Sequence, residues 1–355
     1  MKNTKIRPLI AVICCVLVII GLVACSARPV YVPQHMPSNE AYIFASVEPP
    51  PSALVIEYES ESETEPELET QPIPEPEPVP LPLPAYLNAM NMAFDWIRTT
   101  NTNPRVGSVG GEWAVIAFAR AGLGEAAWFE QYLASLDLAL AGQGGRVERM
   151  TEYARVTLAL TALGLDATNH NGHDITAALH TFIPHEDRPP YNRTINADIF
   201  ALIALDSRPY DGERAHYIEA ILAAEVPGGG WGLSGGVMPD ITAMTIAALA
   251  PYYDSNADVR AAIDRALDLF GERPMRDAEG NAQMIVALTA LGRDAELHLN
   301  ALLTFHDSET GAFMRDGQPN MMSTEQAAYA LVAYYRFATG RNRLYDMRDA
   351  FNNGG

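Results

Sequence analysis

The sequence predicts an all-α fold: six helix pairs closed into an (α/α)6 barrel, or toroid, that follows a disordered Pro/Glu-rich linker. Three observations predict it. A pattern of Ala, Leu and Ile at helical spacing recurs six times. Each copy is apolar on nearly all its faces, as a helix buried all round would be. A more polar, amphipathic segment precedes each copy.

The copies begin at Glu112 (EWAVIAFARAG), Glu152 (EYARVTLALTALG), Asn196 (NADIFALIALD), Asp240 (DITAMTIAALAPYY), Asn281 (NAQMIVALTALG) and Glu325 (EQAAYALVAYYR), in steps of 40, 44, 44, 41 and 44 residues. Each opens with a carboxylate or amide, which suits a helix N-terminus through capping and the helix dipole. Several stop at Gly122, Gly164, Pro251 or Gly292. The polar partners are expected at 86–100, 126–141, 174–183, 213–224, 256–270 and 294–305. A repeat of about 40–47 residues made of helix pairs forms an open solenoid or a closed ring. A solenoid has two faces in water, so it does not require helices apolar on every side. A barrel with one helix of each pair inside does require them.

Residues 1–24 read as a lipoprotein signal peptide. Lys2, Lys5 and Arg7 precede sixteen uncharged residues, Leu9 to Ala24. As a helix that run would span about 24 Å, short of the ~30 Å hydrocarbon core, so it suits a signal peptide better than a permanent span. Leu22-Val23-Ala24-Cys25 resembles a lipobox. The resemblance implies that Cys25 is acylated, becomes the first mature residue and anchors the chain to the membrane, with the domain on the extracellular face. An uncleaved anchor helix, with Cys25 incidental, would also leave the domain outside the cytoplasmic membrane.

Residues 25–84 form the tether. Glu57, Glu59, Glu61, Glu63, Glu65, Glu67 and Glu69 alternate with other residues, Pro recurs throughout, and residues 72–84 suit polyproline II. The whole chain carries −20; the signal segment is +3 and the tether −10, which leaves −13 for residues 85–355. An acidic domain argues against nucleic acid as a partner. The chain's cysteines are Cys14, Cys15 and Cys25, so the domain has no disulfide and no thiolate metal ligand. Packing must stabilise it.

Over about residues 86–340 the chain resembles the α/α-toroid family of terpenoid cyclases and protein prenyltransferases. Two loops carry the resemblance. Glu225-Val-Pro-Gly-Gly229-Gly-Trp231 is similar to the Gln-x-x-x-Gly-x-Trp motif of squalene cyclases, and Asp307-Ser-Glu-Thr-Gly311-Ala-Phe313 is a second copy. The resemblance implies that these loops tie an outer helix to the next inner one, with the aromatic plugging the joint. It extends to bacterial surface proteins with prenyltransferase or squalene-oxidase-type repeats, and the transcobalamin-type carriers share the toroid. Fold alone does not supply an activity.

The zinc site of the prenyltransferases has no counterpart, because the domain lacks cysteine. The Asp-x-Asp-Asp acid of the cyclases would fall on Asp240, but Met238 and Ile241 replace its partners. His170 and His173 stand near each other beside Asp174, with Asn171-Gly172 between them suggesting a loop. No metal or cofactor is therefore expected. Parallel inner helices would bring Glu112, Glu152, Asn196, Asp240, Asn281 and Glu325 to one mouth, beside Trp113, Tyr153, Gln283, Gln326 and Trp231. Polar groups converging near aromatics suit a ligand site; equally, each can serve its own helix. The expected function is a non-catalytic module for a small-molecule, isoprenoid or extracellular protein ligand. The alternative is a cyclase-like enzyme acting on an isoprenoid through Asp240. Oligomeric state is not legible. Replacing Cys25 with Ala should abolish lipid attachment and release the chain from the membrane fraction; a variant that is still processed and membrane-bound would overturn the lipobox assignment.

Overall fold

The computed structural model describes residues 84–351. The expectations for the signal peptide, for Cys25 and for the tether up to residue 83 lie outside the described residues.

The described residues are all-α but for one two-residue hairpin. Six apolar helices carry the six sequence copies: α2 (Glu112–Ala121), α4 (Met150–Ala162), α6 (Ile195–Ser207), α8 (Pro239–Leu249), α10 (Ala278–Ala290) and α12 (Met321–Ala338). Between them lie α1 (Ala85–Thr100), α3 (Ala126–Gly142), α5 (Ala177–His180), α7 (Arg214–Ala223), α9 (Ala257–Phe270) and α11 (Glu296–Leu303). The even-numbered helices are buried on almost every side; in α6 this holds from Ile199 through Leu205 without a break. Each packs on the next: α2 on α4, α4 on α6, α6 on α8, α8 on α10, α10 on α12, and α12 back on α2. Among the described residues no helix is long and apolar enough to cross a membrane.

The helix stops fall where glycine and proline place them. Gly122, Gly164 and Gly292 follow α2, α4 and α10 in left-handed conformations, and Pro251 sits in a 3-10 turn after α8. The starts differ from expectation. α4, α10 and α12 begin at Met150, Ala278 and Met321, ahead of Glu152, Asn281 and Glu325. The capping oxygens in α10 and α12 come from Asp277, accepting from the Gly280 N–H, and from Asn320, accepting from the Ser323 N–H. The recurring carboxylate or amide thus lies inside the first turns, where its side chain is free to hold a loop.

One predicted helix is mostly missing. Of residues 174–183 only Ala177–His180 is helical. Pro184 disfavours helical backbone at Ile183, and Pro189 and Pro190 continue the chain through two 3-10 turns, His185–Asp187 and Pro190–Asn192. The sequence reading also missed a hairpin. Met314–Arg315 pairs with Gln318–Pro319 across Asp316-Gly317, both at positive φ, which is the Asp-Gly signal for a tight turn.

The two motif loops are joints. Trp231 is fully buried; its indole N–H donates to Ile221 O of α7 at 2.8 Å, and its backbone N–H donates to Thr242 Oγ1 of α8 at 2.9 Å. Phe313 repeats this arrangement, its N–H donating to Thr324 Oγ1 of α12 at 2.9 Å. Glu225, first in the motif, takes both donors of Arg265 at 2.8 and 2.7 Å. Gly230, at φ 81°, leaves no room for a side chain between Val237 and Thr242. Trp231→Ala should therefore destabilise the domain by about 3–5 kcal/mol, read as a lower denaturant midpoint; a loss under ~1 kcal/mol would contradict the joint.

Candidate functional site

The N-terminal ends of α2, α4, α10 and α12 are linked to one another by several of the residues singled out in the sequence. The buried Glu112 carboxylate accepts from the Gly107 N–H at 3.0 Å, the Tyr132 hydroxyl at 3.2 Å and Arg155 Nε at 3.2 Å. Burial pushes its pKa up, while Arg155 and the Gly107 N–H pull it back. Glu325, also buried, accepts from the Gly110 N–H at 2.9 Å, and its other oxygen has no partner. Burial, with repulsion from Glu112, raises its pKa to about 8 against the Gly110 bond. Glu152 accepts from the Glu148 and Arg149 N–H groups. Asn281 is enclosed, bonded to Met275 and Asp277. Gln283 donates to Gln326 at 2.9 Å and to the Tyr329 hydroxyl.

Little of this is open to a ligand. Trp113 packs between Phe200, 5.4 Å away, and Tyr329, 5.6 Å away, so aromatic rings from α2, α6 and α12 meet there. Trp231 is sealed inside its joint rather than facing a mouth. Tyr153 is half-buried against the core. Asn196 keeps a buried oxygen without a partner. Asp240, half-exposed in the first turn of α8, makes no hydrogen bond or ion pair among the described residues, and no partner there would shape it as an acid. His170 and His173 face each other across a tight turn, with His170 Nε2 on Asp137 Oδ1 at 2.9 Å. Among the described residues no three His, Cys, Asp or Glu side chains are placed to hold a metal.

The opposite, C-terminal ends are different. Residues 341–351 are drawn across them. Arg120 of α2 donates to Leu344 O, Arg343 O and Asp346 O; Arg336 of α12 donates to Asn342 O, and both pair with Asp349. Met347 N–H donates to Ser207 O at the end of α6, and Arg343 Nη1 donates to Ala290 O at the end of α10. Between this segment and α6, α8 and α10 lies a cavity of about 490 Å³, within the range of about 300–1,000 Å³ typical of small-molecule sites. Ile203, Ala247, Ala248, Val286 and Leu344 form apolar walls, and Tyr210, Tyr252 and Tyr345 add amphipathic rings. Burial, joined for Tyr252 by the Asp206 carboxylate, pushes the Tyr252 and Tyr345 phenols above their ordinary range, so both are neutral donors. Four arginines and two aspartates complete the lining.

A second, more open cavity of about 470 Å³ lies beside α7. There His185 donates to Asp198 Oδ2 at 2.5 Å, and the buried Arg188 holds Asp198 Oδ1 at 2.7 Å. This triad anchors the irregular 181–194 segment that follows the shortened α5. The sequence reading named neither cavity, because their walls join residues from distant parts of the chain. Arg343, directly ahead of Leu344-Tyr345, is a cation just past the last helix and was the one available hint.

No protein-family model matches the chain, and no curated protein matches it.

The raised Glu325 pKa has a thermodynamic consequence. Its carboxyl stays protonated in the folded state up to about 8 but ionises near its ordinary value of 4.5 when unfolded. Between those values the folded state binds the extra proton, so stability falls as pH rises from about 5 to about 8, by roughly 2–4 kcal/mol. Glu325→Gln, which can still accept from Gly110, should flatten that slope in denaturant titrations; an unchanged slope would show that Glu325 is ionised in the fold.

Proposed function

We propose that this chain is a membrane-anchored extracellular lipoprotein whose domain is an (α/α)6 toroid of the terpenoid cyclase and prenyltransferase type. The domain serves as a non-catalytic module that binds a small molecule at the C-terminal end of the inner helices. The cyclic order of contacts from α2 through α12 and back to α2 supports the toroid, as do the paired Gly–aromatic joints at Trp231 and Phe313. The lipobox at Cys25 supports the anchor. The cavity between α6, α8, α10 and residues 343–348 carries the binding function: it combines apolar walls, neutral phenols and fixed charges in one concave, partly open space.

The isoprenoid cyclase reading draws less support. The rings of Trp113, Phe200 and Tyr329 meet between α2, α6 and α12, where a chamber for an isoprenoid would have to lie. Asp240 lines neither of the two cavities described.

Full-length protein purified from its own host should retain a small molecule in native mass spectrometry. Ala247→Trp, which fills the cavity from α8, should lose that molecule while keeping its helical circular dichroism. Retention by the variant would move the site elsewhere, and a bare wild-type protein would count against a binding module.

A further inference from the structure

The charges of the C-terminal cavity are not evenly spent. Asp206 is satisfied on both oxygens, by Arg214 Nε at 2.7 Å and by the Tyr252 hydroxyl at 2.7 Å. Arg214 also spends three of its other N–H groups on backbone carbonyls, Leu205 O at 2.5 Å, Tyr210 O at 2.7 Å and Gly212 O at 3.3 Å. Asp346 is held by Arg348 through Nε at 2.8 Å and Nη2 at 2.5 Å. Burial opposes the Asp346 carboxylate, yet Arg348 and Arg343 keep its pKa below the ordinary value. Both carboxylates are thus committed to their own arginines.

Arg208 and Arg343 remain. Arg208 lies over the Phe351 ring at 4.1 Å, and its ion-pair partner is the exposed Asp166, 3.8 Å away. Arg343 donates one Nη1 hydrogen bond, to Ala290 O at 3.1 Å, which leaves further donors on the same guanidinium. The Tyr345 phenol, kept neutral by burial, likewise makes no hydrogen bond among the described residues. Two positive charges are in excess on the walls of a half-apolar cavity, inside an acidic domain.

The geometry points to a small organic anion as the ligand: a carboxylate or phosphate monoester gripped by Arg208 and Arg343, with an apolar body against Ala247, Ala248 and Val286. This rests on the reading of the cavity as a ligand site. The planar guanidinium suits bidentate capture of either group. The negative ends of the helix dipoles disfavour an anion against the helices themselves, so the charged end lies on the arginine side and the apolar body lies toward the helices.

Calorimetric titration of the full chain with four probes of one body tests this: 1-naphthoate, 1-naphthyl phosphate, 1-naphthylmethanol and 1-naphthylmethylammonium, with inorganic phosphate as a fifth. Both organic anions should bind, the neutral alcohol about tenfold or more weakly, and the cation not at all. Arg208→Gln and Arg343→Gln should each weaken the anions about tenfold and leave the alcohol unchanged, which also reports that the cavity is intact. Should Arg343→Gln melt early, Arg208→Gln, on the more exposed side chain, carries the comparison. Equal affinity for alcohol and anions, or preference for the cation, overturns the anion assignment while the cavity reading stands. Inorganic phosphate binding as tightly as naphthyl phosphate overturns the apolar body. Failure of every probe in the wild-type chain overturns the anion proposal, and an unchanged retained ligand in Ala247→Trp overturns the cavity reading.

Discussion

The first N–H groups and the last C=O groups of a helix have no partner inside it. Six helices buried on nearly all sides carry that problem inward, because few of these groups can turn to water. Much of what is distinctive in this domain answers it. At the N-terminal ends, Glu152, Asp277 and Asn320 accept from exposed backbone donors, and Glu112 and Glu325 reach out to fix the loop through Gly107 and Gly110. At the C-terminal ends, arginines supply donors: Arg214 to Leu205 O, Arg343 to Ala290 O, Arg336 to Arg120 O. Cations at that pole also suit the helix dipole.

The two solutions leave different surfaces behind. At the N-terminal pole the acidic and amide side chains reach short distances to neighbouring loops, and the rings of Trp113, Phe200 and Tyr329 meet between α2, α6 and α12. The arginines at the C-terminal pole are long, and several are borne on segments outside the helix they serve. Where residues 343–348 cross α6, α8 and α10, they bridge rather than fill, and a cavity remains under them. A site therefore opens at the end that residues 343–348 cross.

The joints explain how the pairs hold their register. In each, an aromatic residue eleven positions ahead of a threonine donates its backbone N–H to that hydroxyl: Trp231 to Thr242 and Phe313 to Thr324. The hydroxyl lies in the first turn of the following even-numbered helix, so the connection from α7 to α8, or from α11 to α12, is tied by one short polar bond under a buried ring. These two joints serve α7–α8 and α11–α12; ahead of α6 the chain departs from the helix pair and relies on the contacts of Asp198 with Arg188 and His185 instead.

Local features were legible in the sequence. Apolar periodicity located all six even-numbered helices, Gly122, Gly164 and Gly292 marked the ends of three of them, and Gly228–Trp231 marked a joint, because helix period and glycine turns depend on residues within a few positions of one another. The shortened α5 was also written there, in Pro184, Pro189 and Pro190. The fate of each polar residue was not. Glu112 and Asn281 read as candidates for a mouth, yet tertiary contacts consume them: Glu112 on Arg155, 43 residues away, and Asn281 on His298, 17 residues away. The cavity depends on still longer pairings, such as Arg120 with Leu344 across 224 residues. No local pattern encodes which end of a helix stays open, since that is decided by what crosses it, and what crosses it comes from the far end of the chain.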